Sequence, residues 1–293
     1  MTKTAWVFPG QGSQAVGMGL DLAAIESAAQ RLETATQILG WSVLDICQSD
    51  EETVSNTLYT QPCLYVIESI LVDLLGDRTT KPDLVAGHSL GEYVALYAAN
   101  VFDFEAGLRL VKRRAELMSD ASDGMMAALM GFNRDELNAQ LETIDGVVLA
   151  NDNNPGQVVV SGTPEAVQLL MDSIKAKRKV PLKVSGAFHS PLMTEAAQEF
   201  GTVLEDIDFQ SAEVPVMSNV DPTPETDAGR LKERLKSQMT GSVRWREISL
   251  RLPEEDIETV VEVGPGNVLT GLIKRTCSGL TLKNVKSSSD LPD

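Results

Sequence analysis

Short apolar runs alternate with longer amphipathic stretches in the first part of the chain. The runs at 5–8 and 83–87 are each closed by proline or glycine residues, which predicts two buried strands. Leucine and isoleucine recur at three- and four-residue spacing over 61–75, which predicts a helix with Pro62 in its first turn. A further helix is predicted over 103–119, capped by its first residue, an aspartate. Because strands alternate with helices, the pattern favours a mainly parallel sheet.

The rhythm changes between about Met125 and Val184. Strands are predicted at 125–131, 147–151, 157–162 and 178–184, and helices at 133–143 and 164–176. The order βαββαβ is that of a ferredoxin-like unit. The α/β rhythm then resumes with helices at 191–205, 226–240 and 244–251 and a strand at 258–263, which predicts that the unit is an insert. Ser287 to Asp290 are expected to form a frayed tail.

Composition and charge narrow the class of protein. Of the 293 residues, 43% are hydrophobic and 23% are charged, which is typical of a folded globular protein. The formal charge of −17 argues against general binding of nucleic acids or anionic membranes, since polyanions would be repelled. No apolar run approaches the about 20 residues of a membrane span, and the N-terminus lacks a signal-peptide pattern. We therefore expect a cytoplasmic protein without a nucleic-acid or membrane partner.

Cysteine and histidine usage limits the chemistry further. Cys47, Cys63 and Cys277 are widely spaced, and neither CxxC nor HExxH occurs. This spacing predicts neither a structural zinc site nor a disulfide framework, and no metal or redox cofactor is expected. The chain has only two histidines, His88 and His189, so any reaction that needs an imidazole has two candidates.

The segment GHSLG at 87–91 matches the nucleophile-elbow pattern G-x-S-x-G. An apolar strand precedes it and an amphipathic helix follows, as that motif requires. Ser89 is therefore the candidate nucleophile, and the peptide N–H of Leu90 is a candidate donor to a developing oxyanion. The alternative is a structural Gly-Ser turn.

A serine nucleophile usually needs a base. His88 adjoins Ser89, and neighbouring side chains of a sharp turn point apart, so His88 is poorly placed to bond it. His189, in the loop at 185–191, is the candidate base by elimination. The alternative is an ordinary core or surface histidine.

The helix over 103–119 also carries a basic run that ends at Arg114. At about 100° per residue, Arg114 lies within or beside the arc of apolar side chains, whereas Arg109 lies roughly opposite. A guanidinium directed inward needs an anionic partner. That partner is either a substrate carboxylate, which Arg binds in a bidentate fork, or a protein carboxylate in a structural ion pair.

Five segments together resemble the malonyl-CoA:acyl carrier protein transacylases. They are FPGQGSQAVGMG at 8–19, TQPCL at 60–64, AGHSLGEYVAL at 86–96, FHSPLM at 188–193 and EVGPGNVLTGL at 262–272. The resemblance implies an α/β fold: an α/β-hydrolase-like core with a mainly parallel sheet over 1–124 and 188–293, and an inserted ferredoxin-like subdomain over 125–187. Both parts agree with the predicted elements.

The resemblance also assigns roles to single residues. It implies that a main-chain carbonyl of Gln238, rather than an acidic side chain, orients the histidine. It makes the peptide N–H of Gln11 the second oxyanion donor and Arg114 the clamp for the malonyl carboxylate. From pattern alone, the GQG segment at 10–12 is a tight turn, since the Gly-Lys-Ser/Thr of a P-loop is missing. In related acyltransferases an aromatic residue at the position of Phe188 is associated with malonyl over methylmalonyl groups.

The predicted reaction is a ping-pong transfer of malonyl from malonyl-CoA to the phosphopantetheine thiol of holo acyl carrier protein, for fatty-acid elongation. The alternatives are a serine thioesterase or hydrolase, an acyltransferase of a polyketide pathway, and a non-catalytic carrier-protein scaffold. One basic cluster leads towards His189 and is either a docking surface for an acidic carrier protein or a solvated face. The cluster consists of Lys175, Lys177, Arg178, Lys179 and Lys183.

Overall fold

Two sheets of opposite character organise the chain in the computed structural model, which describes residues 2–121, 124–184 and 186–292. The strands are β1 (Lys3–Phe8), β2 (Leu84–Gly87), β3 (Met125–Phe132), β4 (Val147–Asn154), β5 (Gln157–Gly162), β6 (Ala176–Pro181), β7 (Val216–Met217), β8 (Ile257–Val263) and β9 (Thr281–Val285). The α-helices are α1 (Glu26–Leu39), α2 (Val43–Cys47), α3 (Glu51–Ser55), α4 (Thr57–Gly76), α5 (Gly91–Ala98), α6 (Phe104–Asp120), α7 (Arg134–Thr143), α8 (Pro164–Ser173), α9 (Thr194–Glu205), α10 (Ala228–Gln238), α11 (Trp245–Glu254) and α12 (Val268–Thr276). Ser185, the first residue of the predicted histidine loop, lies outside the described residues.

The first sheet is parallel, with strand order β7-β2-β1-β8-β9. Its central strands are apolar and buried on both faces, as is usual for parallel sheets covered by helices. The register pairs Phe8 with Gly87. The carboxyl ends of β1 and β2 therefore lie side by side, and the two loops that follow them start from one edge of the sheet. This sheet confirms the α/β fold class.

The second sheet is antiparallel, with strand order β4-β5-β3-β6. Together with α7 and α8 it has the βαββαβ order and strand arrangement of a ferredoxin-like unit. Apolar side chains of α7, α8 and the sheet form a cluster of their own, including Leu129, Leu137 and Val167. The predicted helix over 164–176 ends earlier, at Ser173, because Ile174 adopts an extended backbone conformation that leads into β6.

Helix α4 begins four residues before its predicted start. The side chain of Asn56 accepts a hydrogen bond from the Leu58 N–H at 3.0 Å and caps the helix there. Pro62 therefore lies inside the helix, and the prediction that it occupies the first turn is wrong. By length and composition α4 also meets the criteria for a membrane span, but 83% of its apolar window is buried inside the protein. It is the central helix of the main core, where it contacts α5 and α6.

The C-terminal segment is more ordered than its composition predicts. Ser287 and Asp290 form a capping box around a 3₁₀ turn, Ser288–Asp290. The Ser288 N–H also donates to Asp21 at 2.6 Å, which ties this segment to the N-terminal part of the chain. The prediction of a frayed tail is therefore wrong for Ser287 to Asp290.

Candidate active site

A cavity of about 580 Å³ lies between the parallel sheet and the antiparallel sheet. The loops after β1 and β2 form its floor, at the edge where ligands of open α/β sheets characteristically bind. Six of the sequence-predicted site residues line it: Gln11, Ser89, Leu90, Arg114, Phe188 and His189. Gln238 lies behind them and is fully buried.

The turn after β2 depends on glycine at both ends. A Cβ on Gly87 would lie 1.9 Å from the Gly91 carbonyl oxygen, and a Cβ on Gly91 would lie 2.0 Å from the Phe8 carbonyl oxygen. Ser89 itself has a φ of 52°, in the left-handed region that residues with a Cβ rarely adopt. These contacts make the turn a sharp, strained elbow that ends where α5 begins.

His189 lies opposite Ser89, although 100 residues separate the two in the chain. Its Nε2 atom is 2.8 Å from Ser89 Oγ. Its Nδ1 atom is 3.0 Å from the Gln238 carbonyl oxygen and 3.2 Å from that of Gly241. Because carbonyl oxygens only accept hydrogen bonds, Nδ1 carries the proton and Nε2 is left to accept one from Ser89.

The environment of His189 favours its neutral form. Burial lowers the pKa of His189 to about 3, and the positive charge of Arg114 acts in the same direction. The ring is therefore neutral near neutral pH, with Nε2 free of a proton, as a proton acceptor must be.

His88 has other partners. Its Nε2 atom is 2.9 Å from Asn153 Oδ1 on β4, and its ring packs against Trp245 with the centroids 5.7 Å apart. Burial lowers the pKa of His88. This histidine links the elbow to the antiparallel sheet and makes no side-chain hydrogen bond to Ser89 among the described residues.

Arg114 lies on α6 and is 1% exposed, so the helical arc predicted its inward direction correctly. One guanidinium nitrogen donates to Ser89 Oγ at 3.0 Å and to Gln238 Oε1 at 3.1 Å, and the other terminal nitrogen donates to Gln61 Oε1. The guanidinium carbon also lies 5.3 Å from the centroid of the Tyr93 ring. Within the described residues no carboxylate lies within ion-pair distance of Arg114, although the buried Glu92 interacts with its charge from further away.

Two backbone N–H groups lie at the floor of the cavity. Leu90 caps the N-terminus of α5, and Gln11 follows β1 in a loop where its side chain donates to Thr57 Oγ1 at 3.0 Å. Neither of these N–H groups donates to a protein acceptor within the described residues. Glycine is needed at position 10 for the loop after β1 to lie this close to the elbow, since a Cβ there would lie 2.4 Å from the His88 carbonyl oxygen. Phe188 is 6% exposed and lines the same cavity next to His189.

The basic cluster divides in two. Arg178 and Lys183 line the cavity, whereas Lys179 donates to the Met171 carbonyl oxygen at 2.5 Å. The first two therefore place positive charge on the wall of the cavity. Lys175 and Lys177 are exposed residues outside the cavity.

Three polar residues contact this group without having been predicted as site residues: Gln61, Glu92 and Asn219. All three are buried. Gln61 belongs to the TQPCL segment and Glu92 to the AGHSLGEYVAL segment, so the family resemblance of these segments could have indicated both residues. Asn219 follows the two-residue strand β7, which is too short to be recognised from its hydrophobic pattern.

The whole chain is similar to proteins of one family. Residues 5–291 match the family model described as an acyl transferase domain. The malonyl CoA-acyl carrier protein transacylase of Synechocystis sp. is 58% identical over 289 residues, or 99% of each chain. The crystal structure of the Synechocystis malonyl-CoA:ACP transacylase covers 98% of both chains with a TM-score of 0.97 and 58% identity.

A malonyl-transacylase solved in complex with its type II PKS acyl-carrier protein is also similar. It is 36% identical, has a TM-score of 0.93, and the match covers 99% of this chain and 97% of that one. The sequence identity over the whole chain, the shared fold and the match to the family model all indicate the same family. The chain therefore belongs to the acyl transferase domain family, among the malonyl CoA-acyl carrier protein transacylases.

Proposed function

We propose that this acyltransferase moves a malonyl group from malonyl-CoA to the phosphopantetheine thiol of an acyl carrier protein through an ester on Ser89. The observation that carries the proposal is the contact of 2.8 Å between Ser89 Oγ and His189 Nε2, beside a buried guanidinium at 3.0 Å. A nucleophile, its base and a cation for a carboxylate thus lie together in one cavity. Membership of the transacylase family supports the same assignment.

In the first half-reaction, His189 Nε2 takes the hydroxyl proton as Ser89 Oγ attacks the thioester carbonyl of malonyl-CoA. The peptide N–H groups of Leu90 and Gln11 stabilise the tetrahedral oxyanion, since preorganised donors act most strongly where charge develops. The C–S bond then breaks, and His189 returns the proton to the departing CoA thiolate. The malonyl group remains as an ester on Ser89.

In the second half-reaction, the phosphopantetheine thiol of the carrier protein gives its proton to His189 and attacks the ester carbonyl. The same two N–H groups stabilise the second oxyanion. The C–O bond breaks, Ser89 Oγ recovers the proton from His189, and the malonyl thioester leaves on the carrier protein. The neutral state of His189 suits both proton transfers.

Arg114 selects the substrate by pairing with the free malonyl carboxylate. Its guanidinium is buried and bonded only to neutral groups within the described residues, so an incoming carboxylate compensates its charge. Phe188 narrows the cavity beside His189, where it crowds an α-methyl group on the acyl chain. Together they favour malonyl over acetyl and methylmalonyl groups.

We propose that the reaction takes place in the cytoplasm and supplies fatty-acid elongation. A polyketide pathway is the second candidate, because one structural relative is a malonyl-transacylase with a type II PKS acyl-carrier protein. We also propose that 125–187 form a subdomain inserted in a core of 1–124 and 188–293. The separate apolar cluster under the antiparallel sheet supports this division.

The test of transfer against hydrolysis uses malonyl-CoA with holo acyl carrier protein and, as control, the apo carrier protein that lacks the thiol. Malonyl-carrier protein and free malonate are measured in the same reaction. The proposal expects rapid malonylation of the holo form and little malonate with either form. Malonate release at a comparable rate, independent of the carrier protein, would identify a hydrolase instead.

A further inference from the structure

Asn219 spans the elbow that carries Ser89. It follows β7, which pairs with β2, so it lies beside the carboxyl end of the strand that leads into the elbow. Its Nδ2 atom donates to the Gly87 carbonyl oxygen at 2.5 Å, and its Oδ1 atom accepts from the Ser89 N–H at 2.7 Å. One fully buried side chain thus bonds the backbone on both sides of the turn.

The chemistry of these contacts requires a carboxamide. The Gly87 carbonyl only accepts and the Ser89 N–H only donates, so a single side chain must offer one donor and one acceptor side by side. Aspartate offers acceptors alone, and alanine offers neither. The hydrogen-bond partners also fix which end of the Asn219 amide is oxygen.

Towards β1, the elbow is held by a main-chain hydrogen bond. The His88 N–H donates to the Phe8 carbonyl oxygen of β1 at 2.9 Å. These bonds hold the backbone that leads into Ser89, whose left-handed φ of 52° is unfavourable for a residue with a Cβ. Such a conformation persists only where the surroundings hold it, and Asn219 supplies the hydrogen bonds on one of the two sides.

Glu92 connects this arrangement to the histidine. Its Oε2 atom accepts from the Asn219 N–H at 3.1 Å and from Gln238 Nε2 at 2.8 Å. The Gln238 side chain also donates to the Ser89 carbonyl oxygen at 2.9 Å, while the Gln238 main-chain carbonyl accepts from His189 Nδ1. Asn219 is therefore anchored to the group that orients the base, as well as to the nucleophile's backbone.

We propose that Asn219 is a positioning residue that holds the Ser89 backbone in its left-handed conformation and so aims Oγ at His189 Nε2. This inference rests on the proposed role of Ser89 as the nucleophile. It assigns Asn219 no contact with substrate. Its loss should slow the attack of Ser89 while leaving substrate binding almost unchanged.

The test measures the labelling of Ser89 by a serine-directed fluorophosphonate, which reports on this nucleophile without malonyl-CoA. Asn219→Ala should lower the second-order labelling rate constant about 100-fold while labelling still reaches one group per chain, as expected for a displacement near 1 Å. With malonyl-CoA, kcat should fall and KM should stay within about twofold. Asn219→Asp keeps the side-chain shape and the bond from the Ser89 N–H, but it loses the bond to the Gly87 carbonyl oxygen. Its labelling rate constant should fall by less than that of the alanine variant, and it gives the test if the alanine variant does not fold.

The matched control is Asn154→Asp, at a buried asparagine outside the cavity whose Oδ1 accepts from the Gly156 N–H. Aspartate preserves that bond, so this variant should label at the wild-type rate. A rate constant within threefold of wild type for a folded Asn219 variant would overturn the inference. So would a lower final labelled fraction with an unchanged rate constant, since that pattern means partial unfolding. Wild-type protein that reacts with the fluorophosphonate but not with malonyl-CoA would instead contradict the proposed function.

Discussion

Ser89 and His189 face each other across 2.8 Å, yet the protein holds them in opposite ways. The turn that carries Ser89 needs the two glycines of the short segment at 87–91, since a Cβ at either position would collide with backbone atoms. His189 is oriented by carbonyl oxygens that lie 49 and 52 residues further along the chain. Its own left-handed φ of 56° is a local sign of constraint.

The difference has a physical consequence. The elbow is protected by steric contacts, which tolerate almost no added volume. The histidine is held by two hydrogen bonds to main-chain atoms, which survive most side-chain changes in the segment that supplies them. The nucleophile is therefore sensitive to added volume nearby in sequence and to the loss of Asn219, whereas the base is sensitive to movements of the segment from α10 to α11.

The largest effect is expected for His189→Ala, which removes the base and leaves the elbow intact. The rate of Ser89 malonylation should fall about 10⁴-fold, the upper range for a general base. Mass spectrometry of samples quenched at successive times measures this rate, and added imidazole should restore part of it. Unaltered turnover in the folded variant would reject the role of His189.

The next effect tests the steric protection of the elbow. Gly91→Ala puts a Cβ 2.0 Å from the Phe8 carbonyl oxygen and 2.8 Å from that of Pro9, and backbone cannot move away cheaply. We expect a loss of unfolding free energy of about 3 kcal/mol, at the top of the usual range for overpacking. Denaturant titration measures it.

The matched control is Gly201→Ala in α9, where a new Cβ meets nothing within 4 Å. That variant should gain up to about 1 kcal/mol, because alanine restricts the unfolded chain and favours the helix. Equal effects of the two substitutions would show that the close contacts at the elbow do not govern its stability.

A smaller effect is expected at Arg114, which donates to the nucleophile Ser89 and to Gln238, the residue that orients the base. Arg114→Ala should reduce the preference for malonyl-CoA over acetyl-CoA about 10- to 100-fold, the value of one charged hydrogen bond of about 1.5–3 kcal/mol. Competition between the two thioesters measures the ratio. An unchanged ratio would contradict the carboxylate clamp.

The smallest effect is expected from acid. Because the pKa of His189 is lowered to about 3, the rate of Ser89 acylation should change less than about threefold between pH 8 and pH 5. An acidic limb with its midpoint near 6.5 would contradict this. The unfolded chain binds a proton at His189 below pH 6.5 that the folded protein does not, so this histidine should lower stability as pH falls from 6.5 towards 3.

The same contrast explains how far the sequence predicts the molecule. Strands β1 and β2, the elbow and the βαββαβ unit follow from local patterns, and the structure has them close to their predicted bounds. His189 is found by elimination, since only two histidines exist. Gln238 comes from family resemblance alone, because a main-chain carbonyl leaves no mark on residue identity.

The features that escape prediction are those set by distant partners. Strand β7 exists through its pairing with β2 at Val85 and Ala86, so neither its two residues nor Asn219 stand out locally. The start of α4 depends on the Asn56 cap, which outweighs the preference of Pro62 for a first turn. The tail around Ser287 is ordered by its bond to Asp21 near the other end of the chain.

The most direct measurement is the mass of the intact protein after brief exposure to malonyl-CoA, followed by peptide mapping and a chase with holo acyl carrier protein. The account predicts one malonyl group per chain, located on Ser89, absent from Ser89→Ala, and transferred to the carrier protein during the chase. A malonyl group on Ser89→Ala, or one on the wild-type protein that the carrier protein does not remove, would contradict it.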